Sequence, residues 1–143
     1  MQIPLLSRAE TIEKLSAKGI TPTQQRVEIA QIMLSKPQHL SAEQVLEMVN
    51  ADRALVSKAT VYNTLGLFAE KGLVREVIID PTKIFYDTNT THHYHFYNVE
   101  DGSLVDILAE QVQIDRLPTP PDGMVTDGVE VIIRVKGQTA QTV

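Results

Sequence analysis

The feature that most constrains the fold is a change in the spacing of apolar residues near Gly72. Before that glycine, apolar residues recur three or four positions apart, which is typical of helices that bury one face. After it, segments rich in β-branched and aromatic residues indicate strands. Four helices are therefore predicted in the first half of the chain, over residues 8–18, 21–36, 41–51 and 57–71.

The helix boundaries are predicted from residues that commonly start or stop helices. Thr21 is expected to cap the second helix, with Pro22 in its first turn and Pro37 ending it. The Ser-x-x-Gln pattern from Ser41 to Gln44 is a capping box that opens the third helix.

The strands are predicted in two groups. Residues 73–80 and 83–89 form a hairpin, and helices followed by a hairpin are the order of a winged helix-turn-helix. The second group comprises residues 93–99, 103–108 and 129–136, the last two separated by a proline-rich connector. The predicted fold class is therefore α+β.

The predicted domains are a winged-helix DNA-binding domain at residues 1–88 and a β-rich dimerisation and metal-sensing domain at residues 89–143. A three-stranded sheet of this size has little core of its own, so a homodimer is expected. Residues 1–88 carry ten Lys/Arg and ten Asp/Glu, whereas residues 89–143 carry three and eight. A neutral first domain can still bind DNA if its cations share one face.

Composition excludes several kinds of site. The chain has no cysteine, which excludes disulfides, thiolate nucleophiles and Cys-ligated zinc. No apolar segment is long enough for a membrane helix, and the N-terminal residues lack the pattern of a secretory signal. We therefore expect a cytoplasmic protein with no membrane partner.

Three of the four histidines lie within four residues, in the sequence THHYHFY. Because side chains alternate along a strand, His93 and His95 share one face while Tyr94 points to the other. Two imidazoles on one face are suited to binding one metal ion. His92 is expected to face away from that pair and to take no part in it.

Three further residues complete a candidate metal site. Asp87 lies at the end of the first hairpin, Asp106 lies in the strand paired with the histidine strand, and His39 precedes the third helix. With His93 and His95 they make a set of three imidazoles and two carboxylates. Such a nitrogen and oxygen set suits Fe²⁺, Mn²⁺ or Zn²⁺.

Two other classes of protein can be weighed against a regulator. Two histidines and one carboxylate also describe the facial triad of non-haem iron oxygenases. That reading needs a barrel or jelly roll, for which the predicted strands are too few, so no catalytic residues are predicted. An interaction module with a structural metal would leave the helix-turn-helix pattern unexplained.

The chain resembles the ferric uptake regulator (Fur) superfamily of metal-dependent transcription factors. The matching segments occur in family order and are GITPTQQRVEIAQIML, KPQHLSAEQVLEMV, KATVYNTLGLFAEKGLVRE, FYDTNTTHHYHF and EDGSLVDI. Within the superfamily the chain is most similar to the iron response regulator (Irr) branch, with the peroxide-sensing PerR branch next. The first resemblance implies a dimeric repressor of iron or haem homeostasis on an inverted-repeat operator, with haem as a further ligand; the second implies peroxide sensing by iron-catalysed histidine oxidation.

The resemblance also assigns roles to residues. The family's regulatory metal site maps onto the same five residues, and its DNA-reading helix maps onto residues 59–73. Contacts with DNA bases are implied for three residues of that helix, Tyr62, Asn63 and Thr64. Contacts with phosphates are implied for two basic residues, Arg26 and Lys58.

The chain departs from the family pattern in its second domain. Many members hold a structural zinc with two CxxC pairs; here Asn98 and Asp101 occupy the first pair and the second is missing. A further family metal site requires a histidine where this chain has Gly128, and the family's long helix in this domain is replaced by a proline-containing segment. No structural zinc is therefore predicted.

Overall fold

The structure is a computed structural model that describes residues 6–52 and 54–139. It divides into two compact units, Met1–Thr90 and Thr91–Val143. The first unit carries the helices and a small sheet, and the second carries another small sheet. The predicted α+β class, with a winged helix followed by a β-rich unit, is confirmed.

Four helices and three strands form the first unit, and each helix is preceded by a serine or threonine whose side chain accepts a hydrogen bond from the first turn. In chain order the elements are α1 (Arg8–Ala17), α2 (Gln24–Met33), β1 (His39–Ser41), α3 (Ala42–Val49), α4 (Lys58–Glu70), β2 (Arg75–Asp80) and β3 (Lys83–Asp87).

The core of the first unit lies between these helices. Its largest fully buried apolar side chains come from α1, α2 and α4, and they are Leu15, Ile29, Met33, Leu65 and Phe68. The predicted capping box at the start of α3 is present, because Ser41 and Gln44 exchange hydrogen bonds between side chain and backbone. After α4 the chain reverses at Gly72, whose φ of 78° is unfavourable for residues with a Cβ.

The predicted boundaries of α2 are wrong at both ends. Thr23, not Thr21, is the N-cap, because its hydroxyl accepts a hydrogen bond from the backbone N–H of Arg26. Pro22 therefore precedes the helix. The helix ends at Met33, before Pro37, since the Gln38 amide donates hydrogen bonds to its last carbonyl groups.

Strand β1 is short and was not predicted. It pairs with β3 in a sheet of order β1-β3-β2, and the register places His39 opposite Asp87. The pairing of β2 with β3 forms the wing expected from the sequence. Strand β1 thus attaches the segment before α3 to the wing.

The second unit is built on a hairpin of β4 (His93–Asn98) and β5 (Leu104–Leu108). Strand β6 (Ile132–Val135) pairs in parallel with β4, so the order of the sheet is β5-β4-β6. A single 3₁₀ turn, Ala109–Gln111, follows β5, and the described residues 112–131 contain no helix or strand. The expected loss of the family's long helix therefore holds in this part of the chain.

The turn between β4 and β5 is ordered by its own polar side chains. The Asn98 side-chain oxygen accepts hydrogen bonds from the backbone N–H groups of Glu100 and Asp101 at 2.8 and 3.2 Å. The Asp101 carboxylate accepts from the backbone N–H and hydroxyl of Ser103, and this bonding lowers the pKa of Asp101. Asn98 and Asp101 therefore act as turn residues.

One row of the second sheet is apolar and exposed. Phe96 of β4 lies directly between Val105 of β5 and Ile133 of β6 in the strand register. These side chains are 36%, 57% and 38% exposed, respectively.

Among the described residues, no helix is long and apolar enough to cross a membrane.

Candidate metal centre and DNA-reading helix

Three of the predicted metal ligands converge on the β4–β5 hairpin. His95 and Asp106 are directly opposed in the register, and His93 lies two residues before His95 on the same face. One carboxylate oxygen of Asp106 lies 3.7 Å from Nε2 of His93 and 3.5 Å from Nε2 of His95. The two imidazole rings are buried, with centroids 4.5 Å apart.

A backbone contact orients the imidazole of His93. Its Nδ1 lies 2.6 Å from the carbonyl oxygen of Thr91. Because a carbonyl oxygen can only accept, Nδ1 must carry the proton and donate this bond. The neutral ring then has its lone pair at Nε2, the nitrogen that faces Asp106, which is the arrangement typical of metal-bound histidine.

The three donor atoms fit a divalent first-row metal ion. Donors bound at about 2.0–2.2 Å and separated by ordinary bond angles lie about 3.0–3.5 Å apart. Both observed separations exceed the limit of a good hydrogen bond; 3.5 Å lies at the upper end of that range and 3.7 Å is slightly wider. A set of imidazole nitrogens and carboxylate oxygen without sulfur suits Fe²⁺, Mn²⁺ or Zn²⁺.

The other two predicted ligands form a second pair, in the first unit. His39 and Asp87 are directly opposed on β1 and β3, and a ring nitrogen of His39 lies within 4.8 Å of a carboxylate oxygen of Asp87. Asp87 is only 2% exposed and accepts a hydrogen bond from the backbone N–H of Asn89 at 2.9 Å. A buried carboxylate is costly unless hydrogen bonds or a cation compensate its charge, so this position is also suited to a metal ligand.

His92 is separate from this group. Its side chain is exposed, and its Nε2 lies 3.0 Å from the hydroxyl of Tyr94 on the opposite face of the strand from His93. The prediction that His92 faces away from the imidazole pair is therefore confirmed.

The predicted DNA-reading helix is α4, and it exposes two of the three residues expected to contact bases. Tyr62 and Asn63 are exposed, whereas Thr64 is 6% exposed. Thr64 lines a polar groove that also contains Arg26 and Asn63, so its contact with a base stays a prediction although the residue is largely buried. Its burial follows from the helical period, which turns position 64 toward the core together with Phe68.

The two expected phosphate contacts differ in their surroundings. Lys58 is exposed in the first turn of α4, and its ammonium nitrogen lies 5.8 Å from the centroid of the Tyr62 ring. Arg26 is half-buried, and its guanidinium donates a hydrogen bond to the carbonyl of Thr21 at 2.9 Å. Arg26 also lines a polar groove of about 390 Å³ with Thr60 and Asn63.

A residue that sequence reasoning missed also touches Tyr62. The Tyr62 hydroxyl donates a hydrogen bond to the carboxylate of Glu43, in the first turn of α3. This bond lowers the pKa of Glu43 and raises the pKa of Tyr62. The two residues belong to different helices and lie 19 positions apart, so no local pattern in the sequence indicates the contact.

Comparison with known proteins decides the family. A family model described as the ferric uptake regulator family matches residues 17–119, which include both His–Asp pairs and the whole of α4. The chain belongs to the ferric uptake regulator family. It is accordingly a metal-dependent transcriptional regulator and not an enzyme, as the sequence predicted.

A curated relative supports this assignment, and two solved structures share the fold. The peroxide-responsive repressor PerR of Staphylococcus aureus (strain Mu50 / ATCC 700699) is 33% identical over 109 residues, covering 76% of this chain and 74% of that protein. The ferric uptake regulator of Francisella tularensis, solved with iron, has a TM-score of 0.67 at 22% identity and covers 84% of this chain and 93% of its own. The ferric uptake regulator of Pseudomonas aeruginosa, solved with manganese, has a TM-score of 0.64 at 21% identity, covering 89% and 97%. The predicted similarity to the Irr branch stays a prediction.

We predict that His93→Ala lowers the affinity for Mn²⁺ by about 100-fold or more, because it removes a donor atom and not merely an outer contact. Titration calorimetry under anaerobic conditions measures this change. His92→Ala is the matched control, since it removes an adjacent, exposed imidazole and should bind Mn²⁺ like the unmodified chain. Equal affinity of the His93→Ala protein and the unmodified chain would show that the ligands lie elsewhere.

Proposed function

We propose that this Fur-family chain is a dimeric repressor whose affinity for an inverted-repeat operator is set by a divalent metal ion. The observation that carries the proposal is the pairing of a histidine with an aspartate at directly opposed strand positions in each unit. The proposed ligands are the five residues predicted from the sequence, namely His39, Asp87, His93, His95 and Asp106.

The proposed ligands fall into two groups that supply different numbers of donors. The pair of His39 and Asp87 alone offers two side-chain donors, which is fewer than the three or four that protein metal sites usually supply. The β4–β5 hairpin alone offers three. We propose Fe²⁺ as the metal that these nitrogen and oxygen donors bind, with Mn²⁺ and Zn²⁺ as chemically suited alternatives.

The chain's own residues would turn metal binding into a change in DNA binding. A bound ion supplies positive charge that attracts the carboxylates and imidazoles together. His39 and Asp87 are fixed to the winged helix by strands β1 and β3, so holding them also holds that unit. Metal would thereby favour one arrangement of the two DNA-reading heads of a dimer and match it to the spacing of the operator half-sites.

The DNA-reading residues we propose are on α4 and at the start of α2. Asn63 can pair with an adenine, and the exposed ring of Tyr62 can contact a thymine methyl group. Lys58 and Arg26 are proposed to contact phosphates, which contribute affinity but no sequence information. A base contact by Thr64 stays a prediction, since the residue lines the same groove as Asn63 but is largely buried.

The homodimer is proposed to form through the exposed apolar row of the second sheet. Phe96, Val105 and Ile133 form a continuous row across three strands, and an exposed apolar surface of this kind is typical of an interface. The occupant proposed for it is the same row of a second copy. The second unit has few buried apolar side chains of its own, so association would also supply the core that it lacks.

The signal that we propose is iron status. Haem has no support in the arrangement of the histidines, because His93 and His95 are buried in the strand and only His92 of this group is exposed. Iron bound reversibly by imidazole and carboxylate would report its own concentration through occupancy.

A second candidate is peroxide sensing, which one specific observation favours. A curated relative at 33% identity is a peroxide-responsive repressor. In this reading, Fe²⁺ held by His39 and His93 would supply the chemistry by which peroxide adds one oxygen atom to one of these imidazoles while its second oxygen leaves as water, and that histidine would then no longer hold the metal.

We predict that Tyr62→Ala weakens binding to a duplex selected from a randomised pool by about 1–3 kcal/mol, the scale of one base-specific contact. Fluorescence anisotropy with Mn²⁺ present measures the affinity. Binding to a scrambled duplex of the same composition should change little. An equal loss on both duplexes would contradict a base-reading role for Tyr62.

We predict that Val105→Lys raises the dimer dissociation constant by at least about 100-fold, because a buried ammonium without a partner is costly. Sedimentation velocity measures the change. Val125→Lys is the matched control, since Val125 is 89% exposed in the connector and outside the apolar row. The unmodified dimer should also persist in EDTA, because its proposed interface contains no metal ligand. Dissociation of the unmodified dimer by EDTA would argue against this interface. Equal dissociation by Val105→Lys and Val125→Lys would argue against it as well.

We predict no oxygen gain on the peptides that contain His39 or His93 after the Fe²⁺-loaded protein meets micromolar peroxide. Peptide mass spectrometry makes this measurement, with the Mn²⁺-loaded protein as the control because Mn²⁺ does not support the same reaction. A gain of one oxygen atom that requires Fe²⁺ would contradict iron sensing and support peroxide sensing.

A further inference from the structure

Three exposed side chains form a cluster on the DNA-reading side of the winged helix. Tyr62 donates its hydroxyl hydrogen bond to Glu43, and Lys58 lies over the Tyr62 ring with its nitrogen 5.8 Å from the ring centroid. Lys58 and Tyr62 are four residues apart on α4 and therefore share one face of that helix. Glu43 comes from α3, so the cluster links the two helices of the helix-turn-helix.

Glu43 is unusual because it places an acidic side chain on a surface that must approach phosphates. It is exposed, and its carboxylate remains ionised over a wider pH range because the Tyr62 hydrogen bond lowers its pKa. A fixed negative charge beside Lys58 opposes the attraction of that lysine for any phosphate, whatever the DNA sequence. Its cost in affinity therefore falls on specific and non-specific DNA alike.

The same carboxylate also favours binding, but only to a DNA sequence that Tyr62 recognises. A hydrogen bond at the hydroxyl restricts the rotation of the Tyr62 side chain, while the ring itself stays 37% exposed. A ring that is already oriented loses less conformational entropy when it meets a base. That gain appears only where the DNA presents a complementary group to the ring.

We propose that Glu43 is a positioning and specificity-determining residue, which favours the selected sequence by orienting Tyr62 for base contact, while its negative charge lowers the affinity for every DNA sequence. This inference rests on the proposed function, because it assumes that α4 meets DNA. A preset contact that only the correct partner can use is a general route to specificity.

Two substitutions at position 43 separate the two effects. Glu43→Gln removes the charge but keeps a side-chain oxygen that can accept the Tyr62 hydrogen bond. It should strengthen binding to a scrambled duplex by roughly threefold, the order expected for one unit charge about 6 Å from a phosphate in water. Glu43→Ala removes the acceptor as well, so it should strengthen scrambled-duplex binding similarly and weaken binding to the selected duplex relative to Glu43→Gln.

Glu47→Gln is the matched control for charge. Glu47 is also exposed on α3 and lies one turn beyond Glu43, so the substitution changes net charge equally. It should leave the ratio of selected to scrambled affinity unchanged. Glu43→Ala should lower that ratio, so an equal ratio in Glu43→Ala and Glu47→Gln would reduce the effect to overall charge and overturn the specificity role.

Titration of Tyr62 provides a readout that does not involve DNA. In ¹³C-tyrosine-labelled protein, the Tyr62 signal is assigned by its loss in Tyr62→Phe, and its pKa should be raised in the unmodified chain and lower in Glu43→Ala. Glu47→Gln should leave that pKa unchanged. An unaltered Tyr62 pKa in Glu43→Ala would overturn the positioning role whatever the DNA measurements show.

The outcomes also separate this inference from the proposed function. If the unmodified, Mn²⁺-loaded chain does not distinguish the selected duplex from the scrambled one, DNA reading by α4 fails and the inference fails with it. If the unmodified chain discriminates and both substitutions at Glu43 leave the ratio of affinities unchanged, the proposed function stands and only the role of Glu43 is rejected.

Discussion

The candidate site depends on antiparallel strand register. His39 lies opposite Asp87, and His95 lies opposite Asp106, each pair on adjacent antiparallel strands. Directly opposed residues have their Cβ atoms about 4.5–5.5 Å apart on one face of the sheet. A shift of either register by one residue would turn one member of the pair to the other face, so backbone hydrogen bonding determines whether the donor atoms can meet at all.

The sequence revealed one half of this arrangement more directly than the other. His93 and His95 could be placed on one face because alternation in a strand is a local rule, and the hairpin that brings Asp106 opposite them has a short turn. The sequence predicts His39 as a ligand but gives no reason for its position, because β1 has only three residues and pairs with a strand more than forty positions away. Short strands with distant partners carry too little local pattern to be predicted.

Side-chain competition explains the other differences between prediction and structure. Both Thr21 and Thr23 are suitable caps for α2, and only the folded backbone shows that Thr23 accepts from Arg26. The early end of that helix depends on Gln38, which reaches back to its last carbonyl groups. Likewise, a helix assigned as a unit to DNA reading has one face turned inward, so the predicted base contact of Thr64 falls on a residue that is largely buried.

The sheet order of the second unit makes β4 dependent on a distant part of the chain. One edge of β4 is covered by its hairpin partner β5, whereas the other is covered by β6, which follows a connector of about twenty residues and pairs in parallel. Closing a long loop has an entropic cost that a tight turn avoids, so this edge is the later and weaker of the two to be covered. Until β6 is in place, the histidine strand presents open backbone donors and acceptors flanked by Tyr94, Phe96 and Tyr97, which is the composition of an aggregation-prone edge. Strand β6 thus covers an edge of β4 that would otherwise be open to pairing with another chain.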